Sequence, residues 1–253
     1  MSAILAIARR ETAAYFSSPM GWVCLVLFSL LSGLFFTLMV VGYTIQSASM
    51  GMMGGEENVT EMLLQGIFGN LSVIVVFIMP ALTMGLVAAD RREKSLELLL
   101  TSPISSTAIA VGKFLGGLAF ASLMVATTAY VPASLYWLGE PDHGVMLCNY
   151  VGFVALLATF VAVGLFTSSL TDQPVIALVA GVAINLGLWI LGWLGSLLGE
   201  GKAKAVVEQV SMLEHFENIS KGVLHVTDAV YFVSIIVFFV FATTQRIEAL
   251  RWR

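Results

Sequence analysis

The chain has 253 residues, of which 58% are hydrophobic and only 11% charged, and a net charge of −4. A soluble domain carries about 25% charged residues, so a chain this apolar lacks the polar surface that water requires and reads as an all-α polytopic membrane protein. The acidic balance excludes a nucleic-acid binder, which needs a basic face, and no loop is long enough to bury a core of its own; residues 1–253 therefore read as a single membrane domain.

Residues 1–19, MSAILAIARRETAAYFSSP, place Ile4, Leu5, Ile7, Ala8, Tyr15 and Phe16 on one helical stripe with Arg9, Arg10 and Glu11 off it. This predicts an amphipathic helix lying on membrane lipid and ended by Ser17-Ser18-Pro19. A cleaved signal peptide would instead run from basic residues directly into an apolar stretch and a small-residue cleavage site.

A spanning helix needs about 20 mostly apolar residues. Six segments meet or approach that length: 22–45, 67–88, 107–138, 145–170, 174–198 and 229–243. The third is long enough to tilt or to break near Pro132, and the last is short, with its first turn near Val226. With the N-terminus inside, Arg9, Arg10, Arg91, Arg92, Lys94, Lys113, Arg246, Arg251 and Arg253 all fall on the cytoplasmic side, leaving only Lys202, Lys204 and Lys221 outside. Positive-inside asymmetry then places both termini in the cytoplasm. Cys24 and Cys148 fall near opposite faces and read as apolar helix residues, not as a disulfide.

Two outer loops have character. QSASMGMMGGEENVTE, rich in Gly and Met, reads as flexible. The loop 199–228 contains EHFENISKGVLHVTDAVYF, where Phe216, Ile219, Val223 and Leu224 recur at helical spacing. That predicts an amphipathic outer helix or a re-entrant hairpin before the last span, with a plain solvated loop as the alternative.

Much chemistry is missing. No span carries an ionisable group near its centre, and Lys113, near the inner end of its helix, is expected to snorkel. That weighs against an ion-coupled secondary transporter. The absence of HExxH and of paired intramembrane aspartates weighs against an intramembrane enzyme, so no catalytic residue and no metal site is assigned. His143, His215 and His225 read as solvated or interfacial loop residues, and Asn185 in the fifth span as an interhelical hydrogen-bonding group. Gly112-Lys113 is followed by Phe114 and lacks the upstream glycine, so there is no P-loop; ATP and Mg²⁺ would have to be bound by another chain.

The charges gather in residues 90–103, DRREKSLELLLTSP. Read as a helix, this segment puts Leu96, Leu99 and Leu100 on one face and lines Glu93 and Glu97 on another at i,i+4, with Arg91, Arg92 and Lys94 adding to its charge. Pro103 ends it, and Ser105 or Ser106 offers an N-cap to the third span. The stretch MPALTMGLVAADRREKSLELLLTSPIS…GKFLG resembles the signature region of ABC-2 type permeases, the membrane subunits of many bacterial ABC transporters. Asp90, Arg91, Arg92, Glu97, Leu98, Leu99 and Pro103 match the pattern, while Lys94-Ser95 stand where Gly-Thr is more usual. YFSSPMGWV and FENISKGVLHVTDAVYF are similar to the gliding-motility permease branch, with the nitrous-oxide-reductase maturation permease as a neighbouring branch.

The resemblance covers essentially the whole chain and implies the ABC-2 permease fold. It implies two permease subunits, identical or different, each docked on a cytosolic ABC ATPase, with room for a partner bearing an extracytoplasmic domain. Residues 89–103 would be the coupling helix, with Arg91, Arg92, Glu93, Lys94, Leu96, Glu97, Leu99 and Leu100 as its contacts and Arg9, Arg10 and Glu11 on the helix beside it. The implied activity is export or force transmission across the bacterial inner membrane, in gliding motility or cell-surface export. A solvated, positively charged loop remains the plain alternative for residues 89–103, and an ATP-independent carrier or intramembrane enzyme the alternative for the whole.

Overall fold

A computed structural model describes residues 3–49, 59–101, 104–138, 141–197, 204, 207, 209–223 and 225–252. Among these residues all regular structure is helical. The Gly- and Met-rich stretch 50–58, the proline stop at Ser102-Pro103 and most of 198–208 lie outside the described residues, as does Leu224.

Helix α1 (Ala3–Ser17) leads into α2 (Pro19–Ser49), whose first residue suits proline because its missing N–H would be unpaired there anyway. Helix α3 (Val59–Thr83) is followed after Met84 by α4 (Gly85–Arg92) and then α5 (Ser95–Thr101). Helix α6 (Ser106–Ala126) passes through a 3-10 turn (Thr127–Ala129) into α7 (Tyr130–Leu138). Further along lie α8 (His143–Leu170), α9 (Pro174–Leu197), α10 (Met212–Ser220) and α11 (Val226–Arg251). Among the described residues six stretches are long and apolar enough to cross a membrane: Pro19–Ile45, Thr60–Arg92, Ser106–Trp137, His143–Leu170, Pro174–Trp193 and Val226–Arg251.

The interruptions have local causes. Between α3 and α4 a side chain enters the backbone ladder: Ser168 Oγ of α8 accepts from the amides of Val87 and Ala88 at 3.0 Å each and donates to the Met84 carbonyl at 2.7 Å. Such an insertion is a known cause of helix breaks. The third span breaks ahead of Pro132, which has no N–H for the Thr128 carbonyl four residues back; the Tyr150 hydroxyl donates to that carbonyl instead, at 2.9 Å. The sixth span runs to Arg251, a further two turns beyond the expected end at 243. On the outer loop, Ser211 caps α10 by accepting from the Glu214 amide, and α10 buries Met212, Phe216 and Ile219. It stops at Ser220, because Gly222 turns the chain with φ +85°; the expected continuation through Val223 fails, and Val223 is exposed.

Helix α8 is the axis of the core, buried along most of its length from Val145 to Ser169. By contrast α2, α9 and α11 leave Leu30, Leu38, Val175, Val179, Val237 and Phe241 bare. In water such continuous apolar faces would be untenable; in hydrocarbon they are ordinary. Two ends are thereby defined. The basic end holds α1, the α4–α5 corner, the start of α6 and the end of α11; the acidic end holds α7 and α10.

Candidate functional site

At the basic end, α1 lies against α6 at two glycines one helical turn apart. A Cβ added at Gly112 would fall 2.8 Å from the Ile7 Cβ, and one at Gly116 would fall 2.5 Å from the Glu11 Cβ. Only glycine admits so close an approach. Between them Lys113 is fully buried. Its Nζ donates to Glu11 Oε1 at 2.9 Å, to Asp90 Oδ2 at 2.5 Å and to the Leu86 carbonyl at 2.5 Å. Arg10 closes the cluster, 2.7 Å from Glu11 Oε1 and 3.3 Å from Asp90 Oδ2.

An ammonium has three N–H donors, and here each finds an acceptor, which is what a charge taken out of water requires. One lysine on α6 thus ties together α1 and α4. Two expectations fail on this geometry. Lys113 does not snorkel, because its acceptors lie inside the protein. Glu11 does not sit off the apolar stripe of α1: Ile7 and Glu11 are buried, whereas Leu5 and Phe16 are exposed.

The charged segment that follows is a corner, not one helix. Helix α4 ends at Arg92, Lys94 adopts the left-handed conformation with φ 58°, and α5 restarts at Ser95. Left-handed backbone is free for glycine and costs other residues about 1–2 kcal/mol, so Lys94 occupies the position for which glycine is the natural choice. The expected alignment of Glu93 and Glu97 on one continuous helix is therefore broken. Arg92, Glu93, Lys94 and Glu97 are all exposed.

Beneath them the corner is anchored. Ser95 Oγ donates to Asp90 Oδ1 at 2.9 Å, and Arg91 donates to the Ser169 carbonyl at 3.3 Å. Leu96 is buried, and Leu99 packs between the main core and a small cluster of Ile7, Ile109, Ala110 and Ile247. The Leu100 side chain lies outside the described residues. Helix α6 begins with Ser105 as its cap, accepting from the Ala108 amide, and Ser106 donates to Glu248 of α11. The end of the last span therefore joins the same assembly.

Of the sequence-assigned residues, Arg91, Leu96, Leu99, Arg10 and Glu11 belong to this anchored layer, Arg92, Glu93, Lys94 and Glu97 to its exposed rim, and Arg9 faces outward on α1. Asn185 lies elsewhere, fully buried on α9, and among the described residues neither its oxygen nor its nitrogen has a partner; the expected interhelical hydrogen bond is absent. His215 is not a solvated loop residue: its Nδ1 is 2.6 Å from Asp228 Oδ1, and its ring stacks on Tyr231 at 4.1 Å. Sequence reasoning missed Lys113, Asp90 and Ser168. A signal for the first was present: Ile4, Ile7, Ala8, Glu11 and Tyr15 share one heptad face, and Gly112 and Gly116 flank Lys113.

A family model described as "ABC-2 family transporter protein" matches residues 5–248. No curated protein matches the chain.

Proposed function

The chain belongs to the ABC-2 transporter family, and from that premise we propose that it is a permease subunit driven by a separate cytosolic ABC ATPase, with the α4–α5 corner as the coupling element. The basic end then faces the cytoplasm of a bacterial cell, and the spans cross its inner membrane with both termini inside.

One observation carries this reading: four exposed charges, Arg92, Glu93, Lys94 and Glu97, ride on a corner whose underside is fixed at several points. A flexible solvated loop would absorb a push. Here a displacement of the corner reaches α6 and α1 through Asp90 and Lys113, and α8 through Arg91 and Ser168. Single exposed ion pairs contribute only about 0–1 kcal/mol, so recognition of the ATPase rests on several charges acting together. The bare faces of α2, α9 and α11 leave room for a second permease subunit, identical or different, and for a partner with an extracytoplasmic domain. The same corner serves export and force transmission alike, including gliding motility or cell-surface export.

The test is charge reversal at the rim. Arg92→Glu, Lys94→Glu and Glu97→Lys together should abolish co-purification with the cognate ATPase and the permease-dependent part of its ATP hydrolysis. Intact complex and unchanged hydrolysis would overturn the assignment.

A further inference from the structure

At the acidic end a titratable pair joins α10 to the last span. His215 on α10 places Nδ1 2.6 Å from Asp228 Oδ1 on α11 and Nε2 3.1 Å from the Gln209 carbonyl. An ionised carboxylate and a carbonyl are both acceptors. A neutral imidazole has one N–H and can serve only one of them, turning a lone pair on the other oxygen. The imidazolium, with two N–H groups, satisfies both contacts.

The surroundings favour that charge. The Asp228 side chain is 2% exposed, and His215 is its only basic partner among the described residues. Its Oδ2 has no partner there, so a neutral ring would leave a buried carboxylate with one neutral donor, which is costly. The Tyr231 ring stacks on His215 at 4.1 Å and 25°, and an aromatic face attracts a cation. The His215 side chain is 13% exposed, which gives the proton a path to water.

Other titratable groups come from each element packed against α10. Glu214, Glu217 and Lys221 belong to α10 and its cap, His225 precedes α11, and Glu61 on α3 bonds Gln65. Helix α8 and its cap bring Asp142, His143, Cys148 and Tyr150, bonded instead to Gly144, Tyr136, Gly222 and Thr128; α9 carries none. Among the described residues, Asp228 is the one acid that pairs with the ring.

The pair holds more than two side chains. The Tyr231 hydroxyl donates to the Val210 carbonyl at 2.7 Å, so residues 209–210 and α10 are tied together to α11. On its other sides α10 presses on α8 and α9: a Cβ added at Gly152 would fall 2.6 Å from Ile219 Cγ2, and one at Gly192 2.7 Å from the Leu213 Cβ. Helix α10 thus lies as a lid across the ends of three spans.

We propose that this lid is fastened to the last span by a proton-operated latch, closed while His215 is an imidazolium and loosened when the ring gives its Nε2 proton to water. The remaining N–H stays on Asp228, the Gln209 carbonyl loses its donor, and residues 209–220 gain freedom. A free imidazole loses its proton near pH 6.5. The latch therefore stabilises the closed lid at lower pH and is lost as pH rises through the titration of the ring. It does not rest on the ATPase assignment, and its failure would leave the coupling role untouched.

Replacing His143 and His225 with Gln leaves His215 as the sole histidine of a chain that has three. That full-length variant, purified in micelles without a histidine tag and labelled with ¹⁵N-histidine, is titrated by NMR from about pH 5 to about pH 9, either side of the ordinary imidazole range. Both ring nitrogens should be protonated at the acid end and one at the alkaline end. In the wild type, hydrogen-exchange protection of residues 209–220, corrected for the intrinsic rate at each pH, should fall about tenfold or more over the same range, since a hydrogen bond to a charged group is worth that factor. His143→Gln with His225→Gln should keep the fall, His215→Gln should abolish it, and Asp228→Asn should leave the segment weakly protected throughout. A ring neutral at the acid end or still doubly protonated at the alkaline end would overturn the proposal. So would wild-type protection that ignores pH, a fall that survives His215→Gln, or full protection in Asp228→Asn.

Discussion

Replacing Lys113 with Met keeps the volume of the side chain and removes its charge. Glu11, 8% exposed, then loses its buried cation, as do Asp90 and the Leu86 carbonyl. Breaking a buried pair by deleting one partner costs about 3–5 kcal/mol, because a charge is left unpaired in a medium that solvates it poorly. Arg10 still reaches both carboxylates, but its side chain is 49% exposed, and an exposed pair recovers only about 0–1 kcal/mol. The expected loss is therefore about 3 kcal/mol, read by reversible unfolding in mixed micelles. Adding Glu11→Gln and Asp90→Asn to Lys113→Met should restore most of it, since no buried charge then remains unpaired and the half-exposed Arg10 is solvated by water. A change below about 0.5 kcal/mol, the size of an ordinary surface substitution, would refute the reasoning; so would a triple variant no more stable than the single one.

Three further outcomes follow from the same end of the molecule. Lys94→Gly should raise stability by about 1 kcal/mol by relieving left-handed backbone, whereas Lys94→Val should lower it; equal effects would place the residue outside the left-handed region. Ser168→Ala should cost about 1–3 kcal/mol, because the buried amides of Val87 and Ala88 lose their acceptor; a neutral result would mean that the ladder closes without it. Gly112→Leu, whose side chain would enter space held by Ile7, should detach α1 and raise hydrogen exchange over residues 3–17, and unchanged protection would contradict the close packing.

The spans were legible because each is a long apolar run whose meaning does not depend on what it touches. The corner was legible as a concentration of charge ended by leucines, though not as a corner: nothing in Glu93-Lys94-Ser95 announces a left-handed residue, and the usual glycine of the pattern is absent. Lys113 was misread because its fate is set by partners far along the chain, with Glu11 102 positions away and Asp90 23. An isolated lysine near a helix end snorkels, and only the arrival of two carboxylates from other helices makes burial the better state. Ser168 was invisible for the same reason, since it acts on amides of a helix some 80 residues earlier. The outer helix α10 was read one turn too long, because Val223 continues the apolar spacing past the point where Gly222 reverses the chain.

The coupling role is tested most directly by contact. A photo-cross-linking residue placed at Glu97 on the exposed rim, and as a control at His225 on the opposite end, should be irradiated in membranes that contain the cognate ATPase. The expected result is an adduct with the ATPase from position 97 and none from position 225. No adduct from position 97, or equal yield from both, would contradict the assignment of the α4–α5 corner as the docking element.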